Sequence, residues 1–294
     1  MFWKLTILKN YKKGVMIMTI KMAGLSPHPP LIIPEIGGDE VWKVQDTIDS
    51  LKELAEEIKE SDPNILITVS PHGSVFRDAI SVLDLDRLYG NFSEFGAPEV
   101  EIEVESLPYF IDELEKQARE SNLEIIRLNQ DKKHRFNVST ELDHGVMVPL
   151  YYIKKAGLDN IPVVALTMGL LDYNSLYRFG GLIDKTLDQC DKDAVILASG
   201  DLSHRLKPGA PAGFNPRGKE FDEKLVQLLK DEEFPKILNI DQKLIEKAGE
   251  CGLRPLIITL AALQEYDVNN DVMSYEGPFG VGYAVAGLHP SKNR

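Results

Sequence analysis

The chain has 294 residues, 43% of them hydrophobic and 27% charged, and its 33 basic against 46 acidic side chains leave a net charge of −13. That is too apolar for a disordered chain and too acidic for a broad nucleic-acid-binding face. No run nears the roughly 18 apolar residues of a membrane span, and two cysteines, Cys190 and Cys251, build no disulfide framework, so a cytoplasmic protein is expected.

Residues 1–18 read MFWKLTILKNYKKGVMIM. Lys4 interrupts the first apolar stretch, and Lys9, Lys12 and Lys13 follow it, which is not the order of a signal peptide. A leader is expected here, with translation beginning at Met16 or Met18 and one folded domain over 19–294. Residues 19–25 form a short apolar strand ending in Ser26-Pro27-His28-Pro29-Pro30. Over 39–60, Val41, Val44, Ile48, Leu51, Ala55 and Ile58 recur at helical steps among charges, and Asp62-Pro63 stops the helix. Residues 64–69 are a strand buried on both faces, ending in Ser70-Pro71-His72-Gly73. Residues 78–96 are mixed, with a turn at Gly90-Asn91, and 99–104 alternate apolar and acidic as a half-exposed strand.

A helix over 108–121 and a strand over 123–128 come next. A polar loop, 140–144, leads into a helix over 146–156. Residues 162–166 and 194–198 are buried strands on either side of a helix over 175–187, and the second ends in Ser199-Gly200-Asp201-Leu202-Ser203-His204. Residues 206–218, rich in Gly and Pro, form an ordered loop. Helices over 219–231, 241–248 and 254–266 precede a closing strand, 279–288. Strands alternating with helices indicate a three-layer α/β/α domain, and the interruption at 78–107 indicates a central sheet that is mixed and largely parallel.

Open α/β sheets bind ligands outside the carboxyl ends of their strands. Three buried strands end beside a histidine: His28, His72 and His204. His144 opens a helix, and Glu250 and Cys251 follow the helix end at Gly249. Imidazole with carboxylate suits first-row divalent metals, and two His plus one carboxylate leaves open positions of the kind found in non-haem Fe(II) oxygenases. Taken singly, each residue has a plainer role in a turn, a cap or a solvated surface. His134 and His289 read as surface residues. Phosphate loops, Gly-x-Ser-x-Gly elbows and His-Glu-x-x-His helices do not occur in the sequence.

Taken in order, Ser26-Pro27-His28-Pro29-Pro30, Ser70-Pro71-His72-Gly73, Leu142-Asp143-His144-Gly145, Ser199 to His204 and Gly249-Glu250-Cys251-Gly252 resemble the class III extradiol ring-cleavage dioxygenases of the LigB type, over about 22–290. The resemblance implies Fe(II), or another divalent metal such as Zn, held by His28, His72 and Glu250. It implies His204 as acid/base and His144 on the substrate side. It also implies a catecholic substrate with O2 and, in part of the family, a small second subunit; a homo-oligomer such as a dimer is expected, and charge and apolar-run length speak against a nucleic-acid or membrane partner. The chain also resembles the related Memo proteins, whose cysteine falls at Cys251, so Cys251 is the alternative third ligand and a metal- or peptide-binding protein without ring cleavage is the alternative function. Arg254 or the 206–218 loop is a weaker expectation for binding a substrate carboxylate.

Overall fold

The computed structural model describes residues 19–292, so the expected leader and translation start lie outside the described residues. Ten strands are present among them: β1 (Ile20–Ser26), β2 (Ile65–Ser70), β3 (Ile80–Leu83), β4 (Arg87–Phe92), β5 (Ala97–Glu105), β6 (Ile125–Leu128), β7 (Val163–Thr167), β8 (Ala194–Ser199), β9 (Tyr266–Glu276) and β10 (Tyr283–Lys292). Eight form one sheet in the order β6-β3-β7-β2-β8-β1-β10-β9, and β4 with β5 forms a separate ribbon. The central four, β7-β2-β8-β1, run parallel, so their carboxyl ends share one edge. Antiparallel pairings of β3 with β7 and of β10 with β1 and β9 make the sheet mixed.

The central strands are buried on both faces because successive side chains point to opposite sides. Ile65, Ile67 and Val69 face one core and Leu66 the other; Ala194, Ile196 and Ala198 likewise oppose Val195 and Leu197. Helices Pro108–Glu120, Tyr173–Cys190, Pro216–Lys230 and Leu253–Ala262 close the first core, and Gln45–Glu60 and His144–Lys155 close the second. The fold is the expected three-layer α/β/α sandwich. Along Gln45–Glu60, Ile48, Leu51, Leu54 and Ile58 are buried. At about 1.5–3 kcal/mol for each large apolar side chain, packing outweighs intrinsic helix propensity in fixing this helix.

Three expectations shift. Residues 38–44 are a 3-10 turn, and the α-helix begins only at Gln45. Gly90 and Asn91 lie inside β4, paired with Ile102 and Glu101; the chain reverses at the 3-10 turn Ser93–Phe95 and at Gly96, where φ is +83°. β9 had no counterpart in the sequence reading. It is an edge strand whose Asp267, Asn269 and Asp271 are exposed, so the apolar alternation that marks a half-buried strand is weak.

Behind the sheet, Asp222 on helix Pro216–Lys230 is buried. Its carboxylate accepts from the Ser203 amide at 2.8 Å and from the Tyr275 hydroxyl at 2.9 Å. Burial pushes its pKa up to about 7. A carboxyl raised in the fold binds its proton more tightly there than in the unfolded chain. Its contribution to stability is therefore fully present below the unfolded pKa of about 4 and is lost as pH rises through 7. Asp222→Asn keeps the acceptor for Ser203 and removes the titration. Wild type should lose stability between pH 5.5 and 8.5, and the variant should lose less by about 2 kcal/mol, since the carboxyl contributes ~1.4 kcal/mol per pH unit only up to its folded pKa. Thermal unfolding of both proteins at the two pH values checks this.

Candidate functional site

All four central strands end on a hydroxyl residue: Ser26, Ser70, Thr167 and Ser199. In β1 and β2 the next residue is proline, which has no N–H for the ladder, so pairing stops and a histidine follows at once. The His28 amide donates to Asp201 Oδ1 at 3.0 Å, and the His72 amide to Ser70 Oγ at 3.1 Å. His144 is the first residue of helix His144–Lys155, and Asp143 caps that helix by accepting from the Gly145 amide at 2.8 Å. The four distant segments are thereby delivered to one edge of the sheet.

His28, His72 and His144 meet there, each offering a ring nitrogen within 4.8 Å of the others. Ring centroids lie 4.7 Å apart for His28 and His72, 4.2 Å for His72 and His144, and 5.4 Å for His28 and His144. His28 Nε2 and His72 Nε2 are 3.0 Å apart. Two ring nitrogens that close need a proton or a cation between them, since two lone pairs would repel. Imidazole nitrogens are also the commonest ligands for first-row metals. The cluster therefore fits a divalent metal ion. Phe95, carried over the site by the turn between β4 and β5, packs edge-on against His144 at 5.4 Å and stays 37% exposed.

One hydrogen-bonded chain runs beneath the rings. Ser70 Oγ donates to Asp143 Oδ1 at 2.6 Å, and that oxygen also takes the Gly145 amide. The Gly145 carbonyl accepts from Ser199 Oγ, which lies 2.8 Å from His28 Nδ1. His204 stands beside the cluster. Its Nδ1 is 2.7 Å from the Gly249 carbonyl, which has no proton to give, so Nδ1 carries the hydrogen and Nε2 a lone pair. Burial lowers the pKa of His28, His144 and His204, and that of His72 to about 4. All four imidazoles are therefore neutral near pH 7, the form that binds metal or accepts a proton.

Glu250, expected as the carboxylate ligand, is not part of the cluster. Its Oε2 accepts from the Leu253 amide at 2.6 Å, holding the first turn of helix Leu253–Ala262, and burial pushes its pKa up to about 7. Cys251 stands beside one of the histidines, with Sγ 3.7 Å from His28 Nε2 and 3.3 Å from the Asp201 amide. The difference comes from backbone contact. A Cβ on Gly200 would fall 2.1 Å from Gly252 Cα, and the Cys251 and Gly252 amides both donate to the Asp201 carbonyl. This interlock turns Cys251 toward β1 and Glu250 toward the helix. His144, expected on the substrate side, joins the nitrogen cluster. The Arg254 guanidinium donates to the Leu171 carbonyl and lies over Tyr173. His134 is exposed, and His289 lies 3.8 Å from Glu57, away from the cluster. The supporting roles of Asp143, Gly145 and Ser199 were missed, although all three stand in the quoted strings, because a string does not show which hydroxyl faces which ring. A groove of about 480 Å³ opens elsewhere, between Tyr177, Phe234, Leu260 and Tyr266, and neither histidine nor cysteine lines it.

Residues 22–286 match the family described as the catalytic LigB subunit of aromatic ring-opening dioxygenase. Among relatives, Protein CA_C1420 of Clostridium acetobutylicum is 37% identical over 269 residues, covering 92% of this chain and 57% of that protein, so the chain spans little more than half of this relative's length. The 3,4-dihydroxyphenylacetate 2,3-dioxygenase of Escherichia coli is 24% identical, covering 83% of this chain and 91% of the enzyme. A MEMO1 family protein of Methanococcoides burtonii is 23% identical, covering 50% of this chain and 56% of that protein. In fold, the crystal structure of the uncharacterized protein JW3007 from Escherichia coli K12 is similar, with a TM-score of 0.62 at 16% identity, covering 92% of this chain and 99% of that one.

The support beneath the rings is closely packed at one point. A Cβ on Gly145 would lie 2.4 Å from Ser70 Oγ and 2.8 Å from Asp143 Oδ1. Gly145→Ala should therefore lower folding stability by about 1–3 kcal/mol and weaken divalent-metal uptake in the folded fraction. Denaturant unfolding paired with a metal titration checks both effects.

Proposed function

The chain belongs to the LigB family of catalytic subunits of aromatic ring-opening dioxygenases, and on that premise we propose that it opens a catecholic ring with O2, using Fe(II) held by His28, His72 and His144. The observation that carries this reading is the set of three neutral imidazoles, with ring nitrogens within 4.8 Å of one another, at the carboxyl edge of a parallel sheet. A bound Fe(II) would polarise the oxygens of a catechol and offer a seat for O2. His28 and His72, adjoining a third imidazole, present neutral nitrogens and hold the site's shape. His204, neutral and hydrogen-bonded through Nδ1, keeps Nε2 free to take a hydroxyl proton from the substrate. Its position within electrostatic reach of His28 and His72 supports that role. Phe95 gives the ring of a substrate an apolar flank beside His144. Both cysteines are free thiols, which suits a reducing cytoplasm.

One observation favours a second reading. Glu250 Oε2 holds the Leu253 amide and Cys251 Sγ lies beside His28, which supports a thiol rather than a carboxylate next to the histidines. A Memo-like metal-binding protein without ring cleavage has the thiol at this position.

Anaerobic loading with Fe(II), followed by air and a panel of catechols, separates the two. Oxygen uptake with a new visible-absorbing product is the expected result. Stoichiometric iron with no uptake for any catechol would move the assignment to the Memo-like reading. In the same assay His204→Ala should retain iron and lose about 10²–10⁴-fold in turnover. His144→Ala should weaken iron binding more than Glu250→Gln or Cys251→Ala; a larger loss in Glu250→Gln would restore Glu250 as the third ligand.

A further inference from the structure

Ser199 closes β8 and is wholly buried, with 0% exposure. Its hydroxyl has one proton and sits between two partners, the Gly145 carbonyl and His28 Nδ1, the latter at 2.8 Å. The Gly145 carbonyl can only accept. Its ordinary helical partner would be the amide four residues on, but that residue is Pro149, inside helix His144–Lys155, and proline has no N–H. The carbonyl is thus left to Ser199, and the Ser199 proton goes to it. What Ser199 then turns to His28 is a lone pair, so His28 must supply the proton from Nδ1. In the opposite arrangement, with Ser199 donating to the ring, two oxygens would face each other with no proton between them in a buried site.

We propose that Ser199 is a positioning residue: with the carbonyl that Pro149 frees, it locks His28 in the Nδ1–H tautomer and turns the Nε2 lone pair onto His72 and His144. The tautomer follows from the hydrogen bonds alone. Its consequence for metal affinity rests on the reading of the cluster as a metal centre. Partners that orient the second nitrogen of a metal-bound histidine commonly account for 10–100-fold in affinity.

The test uses the metal-free full chain, labelled with 15N-histidine. The His28 signals are identified by their loss in His28→Gln. Wild type should show a protonated Nδ1 and an unprotonated Nε2 at neutral pH. Ser199→Ala should give a mixture or the reverse tautomer, and calorimetric titration with Zn(II) should show about 10–100-fold weaker binding. Ser70→Ala removes a neighbouring bond of the same network, to Asp143, and should keep the wild-type tautomer; this separates tautomer control from general loosening. A wild-type His28 protonated at Nε2 would overturn the proposal without any variant. So would a Ser199→Ala protein with unchanged tautomer and unchanged Zn(II) affinity. Wild type that has the stated tautomer but binds neither Zn(II) nor Fe(II) would leave Ser199 in its role and remove the metal-centre reading.

Discussion

Neutral imidazoles have no reason to gather. Each brings a donor and an acceptor, and three rings in contact satisfy one another only if their protons are placed consistently. In this protein the placement is imposed from below by a buried chain of oxygens. Asp143 Oδ1 holds both the Ser70 hydroxyl and the Gly145 amide. Ser70 in turn receives the His72 amide, and Gly145 passes the link on to Ser199 and His28. His144 follows Asp143 directly. One carboxylate thus registers three histidines from three segments, and burial of that carboxylate, which raises its own pKa, is offset by the hydrogen bonds it accepts.

The sheet makes such a chain possible. Four parallel strands end level with one another, with Ser26 beside Ser199 and Ser70 beside Thr167 in the register. Each strand end carries a small hydroxyl side chain where the ladder runs out of backbone partners. Ser70 serves the Asp143 carboxylate and the His72 amide, and Ser199 the Gly145 carbonyl and the His28 ring, without occupying the volume that the imidazoles need. Larger side chains at the same positions would fill the site, and apolar ones would leave polar groups unmet. The two cores, by contrast, depend on the alternation of Ile, Leu, Val and Ala along β2, β7 and β8, and make no demand on rim chemistry.

This division sets what could be read from residues alone. Apolar runs of strand length, helical spacing from Ile48 to Ile58, and proline directly after Ser26 and Ser70 are local signals, and they mark the strands and the histidines that follow them. β9 was not legible because its half-buried positions are filled by Asn270 and Ser274 as well as by Val268 and Met273, which blurs the apolar alternation. The turn expected at Gly90 was misleading for another reason. That glycine makes room: a Cβ there would fall 2.6 Å from Met147 Sδ, a constraint that exists only once the ribbon lies on helix His144–Lys155. The links from Ser199 to His28 and from Ser70 to Asp143 span 171 and 73 residues, and no local spacing encodes them.

Glu250 and Cys251 show the same limit at the scale of one residue. They are neighbours in sequence, and a carboxylate is the harder donor of the two, which favours Glu250 for Fe(II) on ligand chemistry alone. The backbone gives the two side chains different neighbours. With Gly200 pressed on Gly252, successive side chains diverge, and Glu250 becomes the acceptor for a helix amide. Its Oε2 holds the Leu253 amide, and burial pushes its pKa up to about 7. Cys251 Sγ lies 3.7 Å from His28 Nε2. Burial, the largest cause, and the nearby Asp201 raise its pKa well above that of a free thiol, but a divalent cation at the cluster would reverse that balance, because a coordinated thiol deprotonates. The thiol thus stands beside a ring nitrogen while the carboxylate holds a helix amide, and it is the backbone packing of Gly200 against Gly252 that separates the two.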